Sequence, residues 1–201
     1  MGIPGFDTVF LDLDGTLFTD EKTFSAGNCQ AIEEALAAGH HIVISTGRPL
    51  ASAIMQAKEL GFTKKGCFVI SFNGGEIYDM YRKKSIFKKP LAMPLVRRIF
   101  DEALQCGLHC QTYSDSEIVT EHDTEEVKRY SSIVKIPYKV VPDVTAFLKS
   151  EPVKVLVVNY ENKEHLRDYL EKTADFADGK INRFFSSNEY LEHVAPGIDK
   201  G

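Results

Sequence analysis

Three short apolar runs alternate with two helical stretches in the first 80 residues of this 201-residue chain. The runs are TVFLDL, HHIVIST and CFVISF, and each has the length and the β-branched or aromatic content of a buried strand. Short joints between strand and helix favour a parallel sheet with helices on its faces. The pattern therefore predicts an α/β fold with a parallel-sheet core.

The character of the sequence changes after Tyr81, where the basic, turn-rich segment RKKSIFKKP follows the third strand and its hairpin. Beyond this segment, helices are interleaved with short strands that read as hairpin pairs, which is typical of an α+β module. We expect an inserted α+β domain over residues 83–183, and a core domain made of residues 1–82 and 184–201. The last segment, EYLEHVAPGIDKG, is predicted to return to the core.

Composition excludes several classes of protein. A net charge of −5 argues against a nucleic-acid surface, no apolar run is long enough for a membrane span, and no secretory signal is visible, so we expect a cytoplasmic protein. The segment CGLHC places Cys106, His109 and Cys110 close together. Because no second Cys/His pair supplies the remaining ligands of a zinc site, we favour structural packing over metal binding there.

The first strand ends in DLDGT, which places Asp12 and Asp14 two residues apart and on one face of a strand. Two close carboxylates repel each other unless a cation joins them or one takes a proton. Both lie at the carboxyl end of a parallel strand, where open α/β sheets bind ligands. Gly15 permits a turn whose backbone N–H groups can face an anion. The pattern indicates a divalent cation beside a phosphate.

The next two strand ends carry groups of the same kind. Strand two runs into STGRP, with the Thr46 hydroxyl, Gly47 and the Arg48 guanidinium, and strand three runs into Asn73 and Gly74. Each residue also has a purely structural interpretation. Thr46 suits a hydroxyl-capped turn, Arg48 a solvated helix start, and Asn73 an ordinary glycine-flanked turn. Three polar strand ends at one edge nevertheless favour a phosphate site.

DLDGTL, STGR, SFNGGEIYD and YLEHVAPGIDKG, in this order, resemble the haloacid dehalogenase superfamily of phosphohydrolases, and within it the Cof-type branch. The resemblance covers about 6–78 and 184–201 by motif, and 83–183 by length and position. It implies a Rossmann-like core with an inserted cap domain.

The resemblance also implies residue roles. Asp12 would be the nucleophile that forms an aspartyl-phosphate, and Asp14 the general acid and then the general base. Thr46 would hydrogen-bond the transferring phosphoryl group, and Lys200 would neutralise Asp12 and the phosphoryl oxygens. Mg²⁺ would be held by Asp12 and by the Asp14 main-chain carbonyl. Gly15, Gly47, Arg48, Asn73 and Gly74 would contact the phosphate or the substrate.

The family has a fourth, acidic motif after the lysine segment, and nothing follows Gly201 here. In the family, the strand that carries this motif pairs with the first strand. We therefore expect TVFLDL to be an edge strand, which is apolar and unprotected by charge or proline. The expectation is that the chain is a fragment, or that another chain covers this edge, with self-association as one outcome.

Two functions follow from these features. The first is a Mg²⁺-dependent phosphatase of small phosphorylated metabolites, sugar phosphates among them, because a cap over the site excludes large partners. The second is a catalytically impaired, phosphate-binding remnant that lacks the fourth motif. Phosphotransferase or mutase activity of the same superfamily is a closer variant of the first. No nucleic-acid or membrane partner is expected.

Overall fold

The structure is a computed structural model of the chain, and it describes residues 5, 7–13, 17, 25–177 and 179–199. The chain divides into two compact units. The first comprises Met1–Lys88 and Asp199–Gly201, and the second comprises Lys89–Ile198. A mixed α/β architecture was predicted, and it is confirmed.

The first unit is built on a five-stranded sheet of order β1-β2-β3-β4-β5. Its strands are β1 (Thr8–Asp12), β2 (His41–Ser45), β3 (Cys67–Ser71), β4 (Glu76–Asp79) and β5 (Lys84–Lys88). The first three are parallel, as the alternation of strands and helices predicts, and β4 and β5 follow as antiparallel neighbours. The parallel strands bring their carboxyl ends to one edge.

Two helices connect the parallel strands, α1 (Ala26–Ala37) and α2 (Leu50–Glu59). The Ser25 side chain caps α1 by accepting a hydrogen bond from the backbone N–H of Asn28 at 3.1 Å, which satisfies one free donor of its first turn. Helix α2 begins directly after Pro49, a residue that a helix start tolerates. The helices and strands enclose one apolar core, whose buried members include Ile42, Ile44, Ala53, Ala57, Cys67 and Val69.

Strand β1 lies at the edge of this sheet, as expected for TVFLDL without a further neighbour. The prediction of a buried strand from its composition is wrong for Thr8–Phe10, which are exposed, and Phe10 retains 63% of its accessible surface. An edge position leaves an apolar run uncovered along one side, whatever its hydrophobicity. Self-association through this edge stays a prediction.

The second unit contains a six-stranded sheet of order β10-β11-β9-β6-β7-β8. Its elements are α3 (Met93–Gln105), β6 (His109–Tyr113), β7 (Ile118–Thr120), α4 (Glu125–Val134), β8 (Tyr138–Val140), α5 (Val144–Phe147), β9 (Lys154–Val158), α6 (Lys163–Lys172), β10 (Asn182–Ser187) and β11 (Tyr190–Val194). In α3, apolar side chains recur every three or four residues and enter the core of this unit, namely Val96, Ile99, Phe100 and Ala103.

The boundaries of the second unit differ from the predicted 83–183. Strand β5 belongs to the first sheet, and β11 pairs antiparallel with β9 from Tyr190↔Val158 to Val194↔Lys154. Residues 184–198 therefore lie in the second unit, and only the chain from Asp199 onward belongs to the first. The physical reason is that β11 forms backbone hydrogen bonds with both β9 and β10. Residues 190–194 therefore belong to the sheet of the second unit.

No helix among the described residues is both long enough and apolar enough to cross a bilayer.

Candidate active site

The carboxyl ends of β1, β2 and β3 are in register. Asp12 of β1 is paired with Ser45 of β2, and Ser45 is paired with Ile70 of β3. Asp12 is the last residue of its strand and is half-buried. The loop that leaves β2 therefore begins beside Asp12, and the loop that leaves β3 begins one strand further along the same edge, where α/β sheets bind ligands.

Thr46 is the first residue after β2, and only 2% of its surface is accessible. Its backbone N–H donates to the carbonyl oxygen of Ile70 at 2.9 Å, which fixes it to β3. Its Oγ1 accepts a hydrogen bond from the backbone N–H of Arg48 at 3.2 Å. This second hydrogen bond is the one expected if Thr46 is a turn residue. A hydroxyl in this position can still donate its own proton to a ligand, since accepting and donating use different sites.

The loop after β3 is tied to the loop after β2 by two backbone hydrogen bonds. The N–H of Phe72 donates to Arg48 O at 3.1 Å, and the N–H of Asn73 donates to Thr46 O at 3.2 Å. Phe72 and Asn73 both have left-handed backbones, with φ of 51° and 56°. Such a conformation is costly for Phe and tolerated by Asn. No local sequence pattern predicts the left-handed backbone of Phe72, because a phenylalanine in this conformation has no compositional signature.

Gly47 and Asn73 are in close contact. A Cβ placed on Gly47 would lie 2.6 Å from Oδ1 of Asn73, so only glycine leaves room for the amide. Asn73 is 6% exposed, and its Nδ2 has no hydrogen-bond partner among the described residues. The structure thus brings Thr46, Gly47, Arg48 and Asn73 together, as the sequence predicted.

Gly74 connects this cluster to the end of the chain. It has φ of +101°, and a Cβ on it would lie 2.7 Å from the carbonyl oxygen of Asp199. Both residues belong to the first unit. The segment GIDKG therefore reaches the loop after β3, one residue before Lys200.

Three predicted site residues lie outside the described part of the chain, namely Asp14, Gly15 and Lys200. Within the part that is described, no group of three or more His, Cys, Asp or Glu side chains is arranged to hold a metal. Of the two predicted Mg²⁺ ligands, Asp12 lies within the described part of the chain and Asp14 does not. A carboxylate at this edge fits Mg²⁺, which binds through one or two carboxylates and completes its shell with water and phosphate oxygens.

The segment CGLHC lies in the second unit. His109 is buried and both of its ring nitrogens are engaged, Nδ1 with Thr124 Oγ1 at 2.9 Å and Nε2 with Gln111 Oε1 at 3.1 Å. Burial lowers the pKa of His109 and raises that of the Cys110 thiol, so both groups favour their neutral forms. These contacts support the interpretation of the segment as structural packing.

Comparison with known proteins shows which family this sequence and fold match. The sequence matches haloacid dehalogenase-like hydrolases over residues 9–201. Among solved structures, a haloacid dehalogenase-like hydrolase from Bacteroides thetaiotaomicron aligns with a TM-score of 0.88 at 29% identity, covering 98% of this chain and 73% of that one.

Two curated relatives are phosphatases by name. A Streptococcus pyogenes protein, provisionally named a phosphatase, is 28% identical over 199 residues, which are 96% of this chain and 71% of the relative. The pyridoxal phosphate phosphatase of Escherichia coli is 30% identical over 126 residues, which are 62% of this chain and 44% of that enzyme. The chain is thus shorter than the proteins it matches.

Proposed function

This chain belongs to the haloacid dehalogenase-like hydrolase family, in its Cof-type branch, and we propose that it hydrolyses small phosphorylated metabolites through a phosphoryl-Asp12 intermediate. Because its family consists of hydrolases and its relatives are named phosphatases, the chain is a phosphatase-type enzyme. Its mechanism, its metal and its substrates make up the proposal. One observation supports it most directly: Asp12 ends β1 in register with β2 and β3, whose following loops hold Thr46 and Asn73.

In the first step, a carboxylate oxygen of Asp12 attacks phosphorus, and the bond from phosphorus to the leaving oxygen breaks. Asp14 gives its proton to that oxygen as general acid. In the second step, Asp14 takes a proton from a water molecule that attacks the same phosphorus. The bond between phosphorus and Asp12 then breaks, which releases inorganic phosphate and restores both acids.

Charge on the phosphoryl oxygens must be balanced during both steps. Thr46 would donate its hydroxyl proton to one of these oxygens, and Lys200 would neutralise another together with Asp12. Asp12 and the main-chain carbonyl of Asp14 would hold Mg²⁺, which would supply further positive charge at the phosphoryl group. Arg48 is half-buried beside Thr46, where it would contact the substrate.

Small phosphomonoesters, sugar phosphates among them, are the substrates that we expect. Pyridoxal phosphate, on which the Escherichia coli relative acts by name, belongs in the same panel. The cytoplasmic location expected from the sequence is part of the proposal.

The test is phosphate release from a panel of small phosphomonoesters with Mg²⁺ present. Asp12→Asn should abolish release, and a chelator should suppress it reversibly. Asp7→Asn is the matched control, because Asp7 is an exposed carboxylate just before the same strand. Transfer of phosphate to a second metabolite without release of free phosphate would show that the reaction is phosphotransfer and not hydrolysis. Absence of turnover across the panel, or equal rates for Asp12→Asn and the wild type, would overturn the proposal.

A further inference from the structure

The segment that leads to Lys200 is bound by a side chain of the second unit. Nδ2 of Asn182, the first residue of β10, donates a hydrogen bond to the carbonyl oxygen of Ile198 at 2.7 Å. Ile198 is 4% exposed and stands two residues before Lys200 in the chain. We propose that Asn182 is a positioning residue, which fixes the backbone from which Lys200 reaches the phosphoryl group. This inference rests on the proposed phosphatase function and adds to it a residue of the second unit.

A tight turn brings the chain from the end of β11 to this hydrogen bond. The N–H of Ile198 donates to the carbonyl oxygen of Ala195 at 3.3 Å, so residues 195–198 form a β-turn. Pro196 and Gly197 occupy its two central positions, and Gly197 has φ of 72°, which favours a type II turn. The sequence of the turn therefore sets its direction, and Asn182 binds the carbonyl group at which the turn ends.

Two further contacts within the second unit hold the same turn. Nζ of Lys89 donates to the carbonyl oxygen of Pro196. The side chain of Ile198 belongs to a small buried apolar cluster, against which Phe184 of β10 packs. The other members of this cluster are Val194 and Ala195. The turn is thus held on its polar and its apolar sides, and the amide of Asn182 completes it at its last residue.

The two carbonyl groups directly before Lys200 both have defined positions. That of Ile198 is bound by the amide of Asn182, and that of Asp199 lies against Gly74. One residue adds at most about 3.6 Å to the reach of an extended chain, so these contacts restrict where the Lys200 backbone can lie. Misplacement of a catalytic group by about 1 Å can lower a rate about 100-fold. Loss of the Asn182 hydrogen bond should therefore act on the reaction through Lys200.

The needs of strand β10 do not explain an asparagine at this position. Asn is depleted in strands, and Phe184, two residues further on and on the same face, is apolar. Asn182 is half-buried, where a β-branched or aromatic residue would suit the strand better. The carbonyl group of a buried residue needs a donor, and the amide supplies one to Ile198. The contact with the turn is what accounts for the amide.

A double-mutant cycle between Asn182 and Lys200 tests this role, with phosphate release from a small phosphomonoester in the presence of Mg²⁺ as the readout. Asn182→Asp keeps the size of the side chain but replaces the donor by a carboxylate oxygen, which only accepts. We expect it to lower kcat/KM by about 10- to 100-fold in the wild-type background and to have no further effect in Lys200→Ala. A purely structural role would lower kcat/KM by the same factor in both backgrounds, which would overturn the inference.

Asn159→Asp is the matched control in the second unit. Asn159 is also half-buried, and its Nδ2 contacts Nδ1 of His165 on α6 at 3.4 Å, so the same chemical change leaves the turn intact. It should keep the wild-type kcat/KM. Asn182→Ala removes the donor without adding a charge, and it should show the same dependence on Lys200. Because the other contacts of the turn remain, both Asn182 variants should melt within a few degrees of the wild type. If Asn182→Asp does not fold, Asn182→Ala completes the cycle in its place.

Phosphate binding distinguishes failure of this inference from failure of the phosphatase proposal. Calorimetric titration with inorganic phosphate repeats the cycle without turnover, and Asn182→Asp should weaken binding only where Lys200 is present. If the wild type releases phosphate and both Asn182 variants or Lys200→Ala keep its kcat/KM, the role of Asn182 is overturned and the phosphatase stands. If the wild type binds phosphate with this coupling but releases none, the hydrolase proposal fails and the positioning role stands. A wild type that neither binds nor releases phosphate would overturn both.

Discussion

The carbonyl oxygen of Asp199 lies against Gly74, 2.7 Å from the point that a Cβ on Gly74 would occupy. No larger side chain fits between the loop after β3 and the segment that precedes Lys200. The glycine therefore does more than permit its own φ of +101°. It sets how closely the backbone of Asp199 approaches the loop after β3.

Gly74→Ala should consequently reduce both stability and activity. The methyl group meets a backbone atom that cannot rotate away, so we expect a loss of about 1–3 kcal/mol in the free energy of unfolding, together with a lower kcat. Gly39→Ala is the matched control. Gly39 also has a positive φ, of +92°, but nothing lies within 4 Å of its added Cβ. Urea denaturation and phosphate release would measure both variants, and equal losses would show that backbone strain alone is responsible.

Thr46 is expected to have two separable functions, in the turn and on the substrate. Thr46→Ser keeps the hydroxyl that accepts from the N–H of Arg48 and should retain most activity. Thr46→Val should cost about 1 kcal/mol of stability for the lost hydrogen bond, and about 100-fold or more in kcat for the lost phosphoryl donor.

The control for that prediction is Thr112→Val in the second unit. Thr112 is also buried, and its hydroxyl donates to the carbonyl oxygen of Lys154 at 2.8 Å. It should lose similar stability without a change in kcat. A normal kcat in Thr46→Val would leave Thr46 as a turn residue only.

A buried ion pair should contribute to the stability of the second unit. Nζ of Lys154 on β9 lies 2.8 Å from Oε2 of Glu192 on β11, and the two side chains are 1% and 5% exposed. Ser186 donates to the other carboxylate oxygen at 2.7 Å. Glu192→Gln would leave a buried ammonium group without its counter-charge, which typically costs about 3–5 kcal/mol.

The double variant Lys154→Met/Glu192→Gln removes both charges and should be much less destabilised than the sum of the single variants Lys154→Met and Glu192→Gln. Urea denaturation of the wild type, both single variants and the double variant completes the cycle. Additive losses would contradict the prediction, because they would show that the two charges do not interact.

Much of the first unit could be predicted from the sequence because its signals are local. Apolar runs separated by helical stretches predict parallel strands, and the turn residues after them predict where polar groups meet. These signals predict that Asp12, Thr46 and Asn73 lie at one edge, and the register of β1, β2 and β3 agrees.

The remaining features depend on contacts between distant segments. The apolar alternation in YLEHV predicts a strand, but it does not specify which sheet the strand joins, and β11 pairs with β9. In the same way, TVFLDL has the composition of a buried strand, but Thr8–Phe10 are exposed in a strand at the edge of the sheet. The unpaired Asn73 amide depends on Gly47 and on two left-handed residues, which no local pattern encodes.

Acid should destabilise the protein in part through His193, which is fully buried on β11. Burial, and then the positive charge of Arg183, lower the pKa of His193 to about 3, against about 6.5 in an unfolded chain. Between these values the unfolded chain binds a proton that the folded protein does not. The stability due to neutral His193 is therefore fully present above pH 6.5 and is lost as the pH falls toward 3.

The loss should amount to about 2 kcal/mol between pH 6.5 and pH 5, at about 1.4 kcal/mol per pH unit. His109, whose pKa is also lowered by burial, adds to the same slope. Urea denaturation at pH 7.5, 6.5 and 5.0 would measure it. His193→Gln should be less stable at neutral pH, because it disturbs the contact with the Tyr169 hydroxyl, but its stability should fall less on acidification. If the variant kept the wild-type pH dependence, His193 would not be one of the groups that take up a proton on unfolding, and the acid sensitivity would have to arise from His109 and the carboxylates.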